Sequence, residues 1–288
     1  MPLLIDLHTH STCSDGSLTP QQLVQEAVRC GLAAIALTDH DTMAGVAEAR
    51  GAGQELGIEV LAGIEISANH DNQAMHILGY GADPGHPGLR DLIVELGFIR
   101  QQRNTAILDR LDSLGFTLSR EELATSATGL IGRPHIARQL MLQGHVGSIN
   151  QAFQKFLKKS GRAYVPADKF PASETIKIIR EAGGVAVLAH PTSLDKNLKG
   201  VPALVAKLVD CGLGGIEVYY PGHSRHICQT LLALATRYHL AVTGGSDYHG
   251  SLKPGISLGG APVMPAIPYQ FLEELKAQLE EPITAGSV

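Results

Sequence analysis

Seven short apolar runs divide the chain: Leu3–His8, Ala33–His40, Glu59–Ser67, Ala74–Tyr80, Val185–His190, Gly215–Tyr220 and Leu240–Gly245. Most are continuously apolar rather than alternating, the pattern of strands covered on both faces. Helical patterns lie between them. Thr19-Pro20 supplies an N-cap with proline in the first turn, and Gly31 follows the end of that helix. Ser119 and Glu122 have capping-box spacing, Ala172–Ala182 runs into Gly183-Gly184, and a last helix is expected from about Pro268 to Glu281. Strand–helix repetition of this kind points to an α/β fold on a parallel sheet, either doubly wound or closed into a barrel.

The rhythm breaks between residues 96 and 162, which read as helix after helix and predict an inserted helical subdomain. The rest, 1–95 and 163–288, forms the α/β body. The insertion holds ten Lys/Arg against four Asp/Glu, whereas the remainder holds thirteen against twenty-four. A basic segment set into an acidic protein suits an anionic ligand approaching from that side.

Several function classes drop out. No apolar run approaches the roughly 20 residues a membrane helix needs. Met1-Pro2-Leu3-Leu4-Ile5-Asp6 has neither a basic n-region nor a cleavage site, so a cytoplasmic protein is expected. Cys13, Cys30, Cys211 and Cys228 are widely spaced with no C-x-x-C pair, against a disulfide scaffold or a thiolate zinc site. Gly51-x-Gly53-x-x-x-Gly57 has the wrong spacing for a dinucleotide loop, and Gly244-Gly245-Ser246 is not a complete nucleophile elbow. Tryptophan is absent and aromatics are few, against a broad stacking platform for long single strands.

The chemistry gathers at the ends of the apolar runs. In an extended strand residues i and i+2 share a face, so His8 and His10 can present two imidazoles to one ion, with Asp15 in the polar turn that follows. Similar endings recur at Asp39-His40, Glu65, His76, His190 and Asp247-x-His249. In parallel α/β folds the C-terminal strand ends converge on one face, where active sites lie. Closely spaced divalent cations there can lower the pKa of a shared water to give hydroxide at neutral pH, and can clamp phosphoryl oxygens. Imidazole and carboxylate ligands suit Mn²⁺, Fe²⁺ or Zn²⁺. Asp39 and Asp41, flanking His40, are candidates for orienting imidazoles.

These residues and their order closely resemble the PHP (polymerase and histidinol phosphatase) superfamily of metal-dependent phosphoesterases. Within it they look most like the bacterial TrpH/YciV group of ribonuclease AM-like and 3′,5′-nucleotide bisphosphate phosphatase-like enzymes. The resemblance covers residues 5 to about 262 and fills all nine ligand positions. It implies a distorted (β/α)₇ barrel holding three divalent ions, manganese above all, with iron, zinc or magnesium as alternatives. His8, His10, Glu65 and Asp247 would hold the first ion. Glu65 would bridge to a second, held with His76 and His190, and Asp15, His40 and His249 would hold the third. Many relatives carry histidine where this chain has Asp15, and the carboxylate makes that site harder, favouring manganese or magnesium.

Substrate residues are expected in the insertion, which in the relatives covers the metal face. Arg100 and Arg103 lie at i, i+3, and Arg133-Pro134-His135 opens a helix whose free N–H groups suit an anion. Arg103 and Arg133 are therefore expected as phosphate clamps, with Arg100 and His135 in support. His223 is a candidate substrate contact or proton donor, and Asp15 and His223 are candidate acid–base aids. The expected reaction cleaves the 3′-phosphoester of a 5′-phosphorylated nucleotide. The substrate is either a small 3′,5′-bisphosphate such as pAp or the 5′ end of RNA or an oligonucleotide, with no obligate protein partner. A phosphatase for histidinol phosphate is the rival enzyme, and a non-catalytic metal-binding module the rival of another class.

Overall fold

The computed structural model describes residues 3–71, 73–119, 121–123, 129–166, 170–260, 262 and 264–280. The first half-barrel follows the expected alternation. β1 (Leu4–Thr9), α1 (Pro20–Arg29), β2 (Ala34–Leu37), α2 (Val46–Leu56) and β3 (Glu59–His70) come in sequence, with β1, β2 and β3 parallel neighbours. Thr19 Oγ1 accepts from Gln22 N at 3.2 Å and the Gln22 side chain returns the bond to Thr19 N, so α1 starts on a complete capping box.

β4 (Gln73–Tyr80) departs from an all-parallel sheet. The connection from His70 to Gln73 is too short for a crossover helix, so β4 returns antiparallel beside β3, with Ser67 paired to His76. After the insertion, a two-residue β5 (Phe170–Pro171) leads into α6 (Ala172–Glu181), β6 (Val185–Leu188), α7 (Val201–Asp210), β7 (Gly215–Tyr219), α8 (Arg225–Tyr238) and β8 (Ala241–Gly244). The order around the sheet is β8-β7-β6-β4-β3-β2-β1, with β6, β7 and β8 parallel to one another. The ring then nearly closes, because the chain leaving β8 turns back onto β1. Asp247 N donates to His8 O and His10 N to Tyr248 O, both at 2.9 Å. This approach requires glycine at position 245, where a Cβ would lie 2.3 Å from His8 Cβ. The sheet is thus a distorted seven-stave barrel with one reversed stave.

The last helix begins later than expected. Ile267–Pro268 is a short strand, β9, antiparallel to β1, and α9 spans Gln270–Glu280; Glu281 lies outside the described residues. Leu272 and Leu275 of α9 join Ile5, Leu7, Leu78, Tyr80 and Val187 in a core inside and beneath the barrel. The outer faces of the strands pack against the surrounding helices through Ile64, Ile77, Leu188, Ile216 and their neighbours. The metal-type residues occupy the opposite end from α9.

Helical structure starts before residue 96. α3 runs unbroken from Pro87 to Ser113, its Leu89, Leu92 and Leu96 packing on the barrel while Ile107 and Leu111 enter a separate core. That second core joins α3 to α4 (Arg133–Leu142) and to α5 (Ile149–Ala152), which continues as a π turn over Phe153–Leu157. The described residues between 96 and 162 contain no strand; 120 and 124–128 fall outside them. Ser119 Oγ accepts from Glu122 N at 3.2 Å, as the capping spacing requires. Among the described residues no helix is long and apolar enough to cross a membrane.

Candidate metal centre

Nine expected ligand residues come together at one end of the barrel, around Glu65. Its Oε2 lies 3.3 Å from His8 Nε2, 3.3 Å from His10 Nε2 and 3.0 Å from His40 Nδ1. Its Oε1 lies 2.7 Å from His76 Nδ1 and 2.9 Å from His190 Nε2. One carboxylate therefore faces five imidazoles, with a different oxygen toward each group. His76 can take part because β4 is reversed, which brings the early residues of that strand to the end where its neighbours finish. Asp247 Oδ1 is 3.3 Å from His10 Nε2 and 3.7 Å from His8 Nε2. Asp15 closes the third corner, 3.3 Å from His249 Nε2, 3.8 Å from His40 Nε2 and 3.9 Å from His10 Nδ1.

A divalent cation fits this set. His8 Nε2, His10 Nε2, His40 Nδ1 and Glu65 Oε2 are all buried, face one another, and make no hydrogen bond. Such an arrangement of buried lone pairs is costly unless a cation sits among them. Three groups have ligand atoms close enough to share an ion: His8, His10 and Glu65; His40, Glu65 and His76; and His10, Asp15, His40 and His249. His10 and His40 each border two groups, so the boundary between ions is less sharp than a one-residue, one-ion assignment.

Electrostatics agree. Burial would raise the Glu65 carboxyl, but the charges of His40, His76 and His8 hold it well below the usual carboxylate range. Asp15 is likewise held low, against burial, by His40 and His249. Rings so close cannot all carry protons. Burial, against the pull of Glu65 and Asp15, pushes His40 down to about 3, whereas His10, despite burial, is raised to about 9 by the carboxylates of Asp247 and Glu65 beside it. Cations entering the cluster would displace such protons.

The outer supports are only partly those the sequence suggested. Asp39 accepts from Ser11 N at 2.7 Å, Ser11 Oγ at 2.6 Å and Ser14 Oγ at 2.6 Å, and so shapes the turn that carries Asp15. Asp41 accepts from Ser67 N at 2.7 Å and from the Arg100 guanidinium. The carboxylate that orients imidazoles is instead Glu217 of β7, which accepts from His8 Nδ1 at 2.8 Å and from His190 N at 2.6 Å. A lone glutamate inside the apolar run Gly215–Tyr220 was the available signal, since a buried charge there needs partners. Tyr220 and Lys253 also escaped the sequence reading. Both bind Asp247 Oδ2, the tyrosine hydroxyl donating at 2.7 Å, and so leave Oδ1 to face the rings. Asp41, His190 and Asp247 have φ of 54°, 27° and 53°, a left-handed backbone uncommon for non-glycine residues that Asp71, Leu198 and His239 share away from the cluster.

A cavity of about 380 Å³ opens over the cluster. One side is formed by Asp15, His40, Glu65, His76, His190, Asp247 and His249, and the facing side by Arg100, Arg103 and Arg133 from the insertion. Arg103 donates to Val165 O at 3.0 Å and lies over the Tyr164 ring; Arg133 donates to Leu157 O at 3.4 Å and lies over the Phe153 ring. Neither has a carboxylate partner among the described residues. Burial and the charge of Arg133 lower Arg103 to about 10. His135 is not among the residues lining the cavity: its Nδ1 accepts from Gly132 N at 3.0 Å and caps α4. His223 also lies off the lining, its Nδ1 donating to Val218 O at 2.8 Å and its Nε2 accepting from Thr192 Oγ1 at 2.9 Å.

The PHP domain model matches residues 6–170. A 5′-3′ exoribonuclease of Haemophilus influenzae is 36% identical over 85% of this chain and 89% of its own length. A phosphoribosyl 1,2-cyclic phosphate 1,2-diphosphodiesterase of Eggerthella lenta is 37% identical over 86% and 95%. A 3′,5′-nucleoside bisphosphate phosphatase of Chromobacterium violaceum is 33% identical over 96% and 98%. Among solved structures, a Bifidobacterium adolescentis protein assigned as a metal-dependent phosphoesterase superposes with a TM-score of 0.87 at 31% identity, covering 96% of this chain and 98% of that one.

Proposed function

The chain belongs to the PHP domain family and is a metal-dependent phosphoric ester hydrolase; from that premise we propose that it cleaves the 3′-phosphoester of nucleotides that carry a 5′-phosphate. The substrates are a 3′,5′-bisphosphate such as pAp, the 5′ end of RNA, or both, since the bond between the 3′ oxygen and phosphorus is the same whether that phosphate is terminal or carries the next nucleotide. The observation that carries this reading is the pair Arg103 and Arg133, half-buried on the cavity wall facing the ligand cluster with no carboxylate partner among the described residues. Two such cations, one depressed by the other, favour an anion with a second charge beyond the group being cut.

His8, His10, Glu65 and Asp247 would hold one ion, Glu65, His76 and His190 a second, and Asp15, His40 and His249 a third. Bound cations would supply Lewis acidity toward water and toward the phosphoryl oxygens. Imidazole and carboxylate donors without thiolate, together with the hard Asp15, favour Mn²⁺. Glu217 fixes the His8 tautomer so that Nε2 faces the centre, and Tyr220 and Lys253 fix Asp247. Arg103 and Arg133 hold the 5′-phosphate, and Asp41 positions Arg100 beside them. The enzyme would act in the cytoplasm without an obligate protein partner.

Purified protein with Mn²⁺ should hydrolyse pAp and 5′-phosphorylated oligoribonucleotides well ahead of 5′-hydroxyl ones. Equal rates on 5′-phosphate and 5′-hydroxyl substrates, or faster turnover of histidinol phosphate or a ribosyl 1,2-cyclic phosphate, would overturn it.

A further inference from the structure

The insertion carries a second cationic surface that the cavity does not use. Between residues 124 and 167 the chain has no Asp or Glu, and six Lys/Arg. Four of these, Lys155, Lys158, Lys159 and Arg162, are exposed and lie on one short closed loop. The loop leaves α5 through the π turn and is tied by Lys158 N to Phe153 O at 3.0 Å, Arg162 N to Lys155 O at 3.0 Å and Ala163 N to Phe156 O at 3.0 Å. Gly161 passes so near Phe156 that a Cβ there would lie 2.4 Å from its carbonyl, so the closed shape demands glycine. Both ends of the loop rest on the cavity arginines: it begins at Phe153, beneath Arg133, and ends at Tyr164, beneath Arg103.

We propose that Lys155, Lys158, Lys159 and Arg162 form a track for the single strand of an oligoribonucleotide whose 5′ end occupies the cavity. This rests on the nucleotide reading of the site above and deepens it. A cavity of about 380 Å³ lies near the small end of ligand sites, which run from about 300 to 1,000 Å³, so it takes a chain end and not a chain. The nucleotides behind that end must lie outside, and their phosphates meet the exposed cations that continue the arginine wall. The strand is single because only one chain end enters. Binding of this kind is driven by counterion release and depends on salt, with a slope of roughly 0.7 per phosphate contacted on a single strand.

The variant K155Q/K158Q/K159Q/R162Q changes only exposed side chains. Its kcat/KM on a 5′-phosphorylated ten-nucleotide RNA should fall roughly tenfold or more at low salt, and the logarithmic salt slope should flatten by about 3. Turnover of pAp, which fits within the cavity, should stay unchanged. Fluorescence-anisotropy binding of the same RNA should weaken in parallel, and this reads the track even where hydrolysis fails. An unchanged salt slope and affinity for RNA, an equal loss on pAp and RNA, or binding of a ten-base-pair duplex as tight as the single strand would overturn the track. Wild-type protein that binds the RNA along this surface but cleaves neither RNA nor pAp would sink the nucleotide reading of the cavity while sparing the track.

Discussion

The two walls of the cavity are built on different principles. On the barrel side four of the nine metal-type residues are backed by a further contact: Glu217 behind His8, Ser193 at 2.9 Å behind His190, Tyr220 and Lys253 behind Asp247, and the Asp39–Ser14 pair behind the Asp15 turn. His8, Asp15, His190, Glu217 and Asp247 themselves lie buried at or just beyond strands. On the insertion side, Arg103 and Arg133 are held by one carbonyl and one aromatic face each, over a hydrophobic core separate from the barrel's. The barrel wall thus fixes chemistry to fractions of an ångström, while the insertion wall can be altered without disturbing it. In an architecture of this kind one metal centre can serve several phosphate esters by exchanging the facing wall.

Substitutions on each wall test that division. Asp247→Ala, or His8→Ala, should lower phosphoesterase activity by about a thousandfold or more and reduce the Mn²⁺ bound per chain, measured by metal analysis after gel filtration. Chelation should reproduce the loss, and Mn²⁺ should reverse it in the wild type. Retained activity would break the metal-centre reading outright.

Arg100→Met leaves the Asp41 carboxylate buried without its cation. It should destabilise the fold by about 3 kcal/mol in urea denaturation. Asp41→Asn in the same background should recover most of that loss, because the uncompensated charge is its cause. Glu217→Gln should weaken Mn²⁺ binding about 10–100-fold while leaving KM for substrate nearly unchanged, which sets orientation of a ligand apart from substrate contact.

Arg133→Ala should lower kcat/KM on 5′-phosphorylated substrates by about 1.5–3 kcal/mol of charge-assisted hydrogen bonding, with little effect on 5′-hydroxyl ones. Metal stoichiometry should stay intact. An equal loss on both substrates would erase the contrast between the walls. His223→Gln should have the smallest effect, about 1 kcal/mol in stability and activity within roughly threefold, since both ring nitrogens are already engaged by Val218 and Thr192. A large drop in kcat would instead assign its ring to the substrate.

Much of the metal wall was legible in the sequence because its residues are unlikely passengers. Imidazoles and carboxylates at the ends of apolar strands have few other ways to be satisfied. What the sequence hid was geometry set by distant partners. Glu217 reads as an ordinary strand residue until the barrel brings His8 beside it from across the chain. The reversed stave was signalled only by the shortness of the His70–Gln73 connection. The left-handed backbone at His190 and Asp247 leaves no trace in composition, because glycine is not used there. On the insertion wall, charge balance pointed to an anion site but could not separate Arg100, committed to Asp41, from Arg103 and Arg133. Nor could it show that His135 caps a helix.

The seam between β1 and the chain beyond β8 has a consequence for how the protein is made. Its hydrogen bonds join His8 to Asp247 and His10 to Tyr248, residues separated by nearly the whole sequence. Contacts of such separation close late in folding. A chain emerging from the ribosome holds His8 and His10 long before Asp247 and His249 are made. Full hydrolytic capacity therefore waits for the seam, and fragments that stop short of Asp247 lack part of the centre. Late closure of the seam thus acts as a timing device for the assembly of the cluster.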